Sequence, residues 1–396
     1  MITSVALPIL PLAVSGGLVC AEAEPRVASK AANNRKYFIV HSSLFINATN
    51  DCTSKLNMMA QPASPRYVSS DDNQRLLDSL ESLPGEARSG FFGPGSVTWR
   101  VNRESAVFLG AGRAALLQLA HPWVAVALAH HSTLLNDAVG RFHSTFRVIY
   151  TMLFGTRAQA LEASKRLYQR HTSIRGELPH AIGTHVQGEH YEANEVAALC
   201  WVYATLVESA ILAYDFVLPP LSPGEREQYY LESKRMAALF GIRAEDLPED
   251  WAAFTRYTAE IFDSQQLGVD ANALALGRSV LSGVGTWLHP PHWYLSVTAF
   301  WMPPRLRTGF ALPFSAREQQ AVDRAARWLP RLYPKIPEML RFVGPFHEVE
   351  ARLRGRSPGA FTRRSNLFWM GERRLLYSDF PDGCAGSVHP PPPLPR

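Results

Sequence analysis

The residues best equipped for chemistry in this chain are a few histidines and a short polar run on one helix face. His171, one of thirteen histidines, shares a helix face with Leu167, Tyr168 and Ile174, so its imidazole is directed into apolar surroundings. There it suits a metal ligand, or equally a satisfied core residue. Arg141, Ser144 and Thr145 fall at i, i+3 and i+4 and share another face. A guanidinium beside a hydroxyl suits a carboxylate or a bound oxygen species, and equally a surface ion pair. His121 precedes Pro122 inside an apolar stretch, where it can face a ligand or hydrogen-bond backbone freed by the proline. His130 and His131 are adjacent, and on a helix they point about 100° apart, so only one can face a given site.

Several chemistries lack their signatures. The chain has no Gly-x-Ser-x-Gly nucleophile elbow and no H-E-x-x-H zinc motif, and no glycine-rich phosphate loop in a βαβ setting. Its four cysteines (Cys20, Cys52, Cys200, Cys384) have no C-x-x-C spacing, which removes a zinc ribbon, a thioredoxin-type pair and covalent haem attachment. Forty basic against 35 acidic residues leave a net charge of +5 with no long Lys/Arg run. That speaks against nucleic acid; it suits a peripheral contact with an anionic membrane, or an ordinary solvated exterior.

The elements that must position these residues read as helices. With 46% apolar and 11% aromatic residues the chain has a large core to bury. Residues 1–65 lack sustained periodicity and are expected to form a disordered leader. The apolar run Val5–Cys20 has no preceding Lys or Arg and is broken by Pro8 and Pro11, which favours a cytoplasmic or peripheral-membrane location over secretion. Asp71 to Leu83 predicts a short amphipathic helix. From Arg103 to Ala129 apolar residues recur at helical spacing, with a kink predicted at Pro122. Helices follow over Arg141–Phe154 and Gln159–Arg175, separated by Gly155. Glu195–Phe216 is apolar nearly all round and predicts a central buried helix, closed by Pro219-Pro220. Further helices are predicted from Pro223 to Phe240, Leu247 to Phe262 and Asp270 to Leu281.

Later in the chain no uninterrupted apolar run of 18 or more residues predicts a membrane span. Aromatics and prolines crowd between Trp287 and Trp301, as in an interfacial anchor, a pocket rim or simple core packing. The expected fold is all-α: one large helical domain over 66–345, followed by an irregular tail over 346–396.

Specific motifs carry a resemblance. The run Gly93-Pro94-Gly95-Ser96-Val97-Thr98-Trp99-Arg100, then Gly112-Arg113-Ala114, Leu116-Leu117-Gln118-Leu119-Ala120-His121-Pro122, His171 with Ile174-Arg175-Gly176, and Trp201-Val202-Tyr203-Ala204-Thr205-Leu206-Val207-Glu208-Ser209 together resemble the rubber oxygenase and mycophenolic acid oxygenase catalytic-domain family. The resemblance covers roughly 93–314. It implies an all-α fold with a globin-like core, non-covalent haem b, and oxidative cleavage of C=C bonds in an apolar isoprenoid-type substrate by O₂. It makes His171 the proximal haem ligand and sets Arg141 and Thr145 on the opposite, oxygen-binding side. Arg100 and Arg113 become candidates for the haem propionates, and His121 a candidate cofactor contact. Position 144 departs from the family's Arg-x-x-Lys-Thr pattern, carrying Ser144. Two other readings stay open: a haem protein acting as sensor, carrier or peroxidase-like enzyme, and a haem-free helical lipid-binding scaffold. The absorption spectrum separates the last; oxygen uptake with terpenoid alkenes separates the first. Oligomeric state is not legible.

Overall fold

A helix that is apolar on every side must be enclosed, and the segment Val196–Val217 sits at the centre of the packing. The computed structural model describes residues 65–132, 138–282 and 289–376, which lie in the contact unit Ala63–Arg396. In chain order the first helices are α1 (Ser70–Glu81), α2 (Val97–Asn102), α3 (Ala111–Leu119), α4 (Pro122–His131), α5 (Ala138–Phe154) and α6 (Arg157–Thr172). A two-stranded hairpin, β1 (Arg175–Glu177) and β2 (His190–Glu192), leads to α7 (Val196–Val217). Then come α8 (Pro223–Leu239), α9 (Trp251–Asp263), α10 (Ala271–Ser282), α11 (His292–Trp301), α12 (Pro304–Gly309), α13 (Ala316–Leu332), α14 (Glu338–Arg341), α15 (Gly344–Leu353) and α16 (Ala360–Met370). Among the described residues the hairpin is the only sheet, so the all-α expectation holds.

Local chemistry sets the helix starts. Ser69 accepts from Asp72 N to open α1, and reciprocal capping boxes open α6 (Thr156 with Gln159), α8 (Ser222 with Glu225) and α13 (Ser315 with Glu318). Pro223 at the first turn of α8 supplies a preset φ. Enclosure of α7 is achieved by α2, α3, α8, α13 and the 3-10 turn Ser105–Gly110. That turn lies so close that a Cβ on Gly110 would sit 2.5 Å from the Ser209 carbonyl oxygen. Trp201 Nε1 donates to Leu117 O at 2.9 Å and fastens α7 to α3. By length and composition α7 could cross a membrane, yet 72% of its most apolar window is buried inside the protein, as befits a core helix.

Two expectations change. The predicted kinked helix over 103–129 is instead the 3-10 turn, α3 and α4, broken at His121, whose backbone is extended (φ −82°, ψ 118°). Pro122 takes the first helical position of α4, where its missing N–H costs nothing. The Ala120 carbonyl accepts from Gly268 N at 2.8 Å. The tail expected to be irregular from 346 contains most of α15 and all of α16, which pack on each other and on α5. Its Pro345 starts a helix instead of ending one. Buried Glu348 accepts from the backbone N–H groups of Leu375 (3.1 Å) and Leu376 (2.6 Å). Trp287, part of the aromatic run, lies outside the described residues, as do the leader up to residue 64 and the chain beyond 376; the rest of that run, from His292, forms α11.

Candidate active site

His171 stands in the last turn of α6, and the hairpin that follows gives it a partner. Register pairs Arg175 with Glu192, Gly176 with Tyr191 and Glu177 with His190; Ala193 N then donates to Ile174 O at 2.9 Å. The chain is thereby returned to His171 just before α7, with buried Asn194 beside the imidazole. Burial, and then the charges of Arg141 and Arg170, hold the His171 pKa down to about 4. The Asn194 side chain pulls slightly the other way, toward the protonated ring. His171 is therefore neutral at ordinary pH, partly exposed, with Asn194 beside its ring.

Arg141 comes from the first turns of α5, which packs along α6. Burial and the like charge of Arg170 depress its pKa, and no carboxylate of the described residues contributes to its titration. A guanidinium keeps its charge regardless. Arg141, Arg170 and His171 thus make a positive, partly dehydrated locus that favours an anion or a group developing negative charge. Thr145, one turn on, donates its hydroxyl to the Arg141 carbonyl at 3.0 Å and keeps its lone pairs available. On the same helix Phe142 and Phe146 lie 4.5 Å apart, and Phe108 stacks on Trp369 at 4.3 Å while meeting Phe146 at 4.9 Å. These rings belong to one aromatic cluster that also holds Trp99, Tyr150 and Phe154.

The other candidates lie in different settings. Arg113 is buried, with its guanidinium on Glu208 (2.9 Å), Ser209 (2.9 Å) and the Trp301 carbonyl (3.0 Å). Arg100 pairs with Glu225 at 2.5 Å and lines a surface cleft of about 270 Å³ with Gly95, Ser96 and Gln228. Neither His171, Arg141 nor Thr145 lines that cleft. The two arginines considered for propionates are thus already engaged with carboxylates.

His121 is in none of these groups. Burial, with His185 nearby, lowers its pKa to about 3. Its ring lies 5.4 Å from that of His185 and 6.1 Å from that of Trp123. His185 Nδ1–H donates to Glu189 at 2.9 Å. His121 Nδ1, His185 Nε2 and Trp123 Nε1 are all buried without a protein partner. Far from bonding the frayed backbone, His121 leaves the Ala120 carbonyl to Gly268.

Asn194, His185 and Glu189 escaped notice in the sequence because their roles arise only when residues 175–192 fold back. The one local signal was Asn194-Glu195 ahead of an apolar helix, which reads as capping; Glu195 does cap α7 through Ala198 N at 2.6 Å.

A neutral imidazole and a guanidinium with no ion pair to a described carboxylate are side chains that a haem group could use. The chemistry fits the group: iron takes a neutral imidazole nitrogen, and an acceptor on the second N–H fixes the tautomer. Among the described residues no group of three or more His, Cys, Asp or Glu side chains could hold a metal ion. The chain belongs to the family described as ER-bound oxygenase mpaB/B'/Rubber oxygenase, catalytic domain, whose model matches residues 99–331, more than half of its length. It is thus an oxidoreductase of oxygenase type by family. No curated protein and no solved structure matches it.

Proposed function

We propose that the protein is a haem b-dependent oxygenase that cleaves C=C bonds of an apolar isoprenoid-type substrate with O₂. The observation that carries this reading is the family match over residues 99–331, with His171, held neutral at ordinary pH by burial and by the charges of Arg141 and Arg170, as the imidazole available to it. The globin-like arrangement of the helical core belongs to the same proposal.

When bound, haem b supplies an iron centre that activates O₂ for attack on an alkene. The chain's own residues then have separate tasks. His171 holds the group through a ring nitrogen, and Asn194 keeps the ring from rotating and sets which nitrogen carries the proton. Arg141 places positive charge where oxygen gathers negative charge, an effect worth about 3 kcal/mol from one donor in a dry site. Thr145 offers its hydroxyl oxygen one turn away, with its proton committed to the Arg141 carbonyl. Phe108, Phe142, Phe146 and Trp369 exclude water and give an apolar chain a surface to lie on.

The test is a spectrum and an oxygen electrode. Purified protein supplied with haem is expected to show a Soret band and to consume O₂ with polyisoprenoid or terpenoid alkenes, yielding carbonyl ends. His171→Ala is expected to lose the band. Colourless protein after haem supplementation would refute the haem assignment; a Soret band without alkene-dependent oxygen uptake would refute the oxygenase assignment alone.

A further inference from the structure

Half of the large apolar side chains exposed among the described residues fall in one 13-residue stretch: Trp328 (37%), Leu332 (53%), Ile336 (37%), Met339 (53%) and Leu340 (54%). Scattered singly, such residues are ordinary; gathered in one place, they mark an interaction surface. The stretch runs from the end of α13 through a 3-10 turn at Tyr333–Lys335 into α14, and residues 334–340 are all exposed.

This exposure is built in. Leu329 and Tyr333 are buried, and the Tyr333 hydroxyl donates to Glu104 at 3.0 Å while accepting from Ala106 N at 3.0 Å. At the far end Arg341 pairs with Glu104 at 3.1 Å, and Val343 N donates to Arg103 O at 2.8 Å. Both ends are thus pinned to the same buried carboxylate region, and the apolar residues between them stand outward. Pro330, Pro334 and Pro337 have no N–H, so the segment carries fewer backbone donors that would need water.

The charges around it identify the occupant. Arg324, Arg327, Arg331 and Lys335 are exposed and none is in an ion pair with a described carboxylate; the acids nearest in sequence are Asp323 and the exposed Glu338, which lies 4.0 Å from Arg341. Apolar side chains ringed by cations, with an exposed tryptophan at the edge, match an interface between anionic headgroups and acyl chains. A second copy of the chain is the poorer partner, because a two-fold contact through this face would set the four cations against their equals.

We infer that the surface formed by Trp328, Leu332, Ile336, Met339 and Leu340 with Arg324, Arg327, Arg331 and Lys335 docks the protein on an anionic phospholipid bilayer. The inference does not depend on the haem reading. It gives a definite location to the peripheral membrane contact allowed by the chain's charge.

The test uses the full chain with vesicles of phosphatidylcholine, alone or with about one third phosphatidylglycerol. Two variants are compared, Leu332→Ser/Met339→Ser/Leu340→Ser and Arg324→Gln/Arg327→Gln/Arg331→Gln/Lys335→Gln, each checked for an unchanged melting curve. All the altered side chains are exposed, so both variants are expected to fold. The native chain should co-float with anionic vesicles, not neutral ones, and be released by salt. Removing the cations should weaken partitioning about fivefold per charge. The serine variant should bind at least about tenfold more weakly. Trp328 emission should shift to the blue on vesicle addition, a shift that Trp328→Phe removes. Failure to bind anionic vesicles would overturn the inference, as would native-level binding by either variant. So would a native dimer that the serine variant dissociates.

Discussion

Replacing Asn194 with Leu tests the imidazole assignment without touching the imidazole. Asn194 is 5% exposed, and its side chain acts on the His171 ring. Leucine nearly conserves volume but offers a ring N–H no acceptor there, at an expected cost of about 1–3 kcal/mol. The ring also loses the contact that fixes its tautomer and orientation, and comparable outer-sphere losses weaken metal-group affinity about 10–100-fold, or roughly 1.4–2.8 kcal/mol. The two estimates agree, so haem titration of Asn194→Leu, followed at the Soret band, should give a Kd some 10–100-fold above that of the native chain. Asn194→Asp restores an acceptor and should bind haem nearly as well as the native protein. The backbone carbonyl of residue 194, which accepts from Val68 N at 2.9 Å, is retained in both. A folded Asn194→Leu variant with native affinity and an unchanged spectrum would refute the reasoning.

Acid should act on His121. Its folded-state pKa of about 3 lies below the usual 6.5, so the unfolded chain takes up the proton first. The stabilising contribution is complete above pH 6.5 and is lost as pH falls toward 3, on the order of 3 kcal/mol by pH 4. Urea melts at pH 7 and pH 4 should therefore show a smaller loss for His121→Asn; equal losses would count against it. Arg113→Met strands the Glu208 carboxylate in the core and should cost about 3–5 kcal/mol in thermal unfolding, most of it recovered in Arg113→Met/Glu208→Leu. Gly110→Ala drives a methyl group against the Ser209 carbonyl oxygen, a backbone atom, and should lower the melting temperature by more than a core glycine-to-alanine change does elsewhere.

What was legible in the sequence was periodic. Leu76, Leu77 and Leu80 announced α1, and the all-round apolar run announced α7 as the helix others would surround. Pro122 was visible as an interruption, but proline ends one helix and begins the next with equal ease, and only the Gly268 contact to Ala120 shows which occurred. Gly344-Pro345 misled in the same way at the start of α15. Arg113 looked available because a sequence does not show that Glu208, 95 positions away, is buried against it. The polar partners of the histidines were illegible for a different reason. Asn194 reaches His171, and Glu189 reaches His185, through a three-residue hairpin too short to announce itself by alternation.

The exposed basic and apolar face of α13 and α14 was hidden by that same logic. Leu329 and Tyr333, turned inward, determine which side faces out.

The proposed chemistry hangs on a bond from the His171 imidazole to haem iron. The most direct measurement is the absorption spectrum of haem-supplemented protein, oxidised, reduced and with carbon monoxide, for the native chain and for His171→Ala. A histidine-ligated Soret band is expected that disappears in the variant and returns with added imidazole. A band of equal strength and position in both proteins would contradict it.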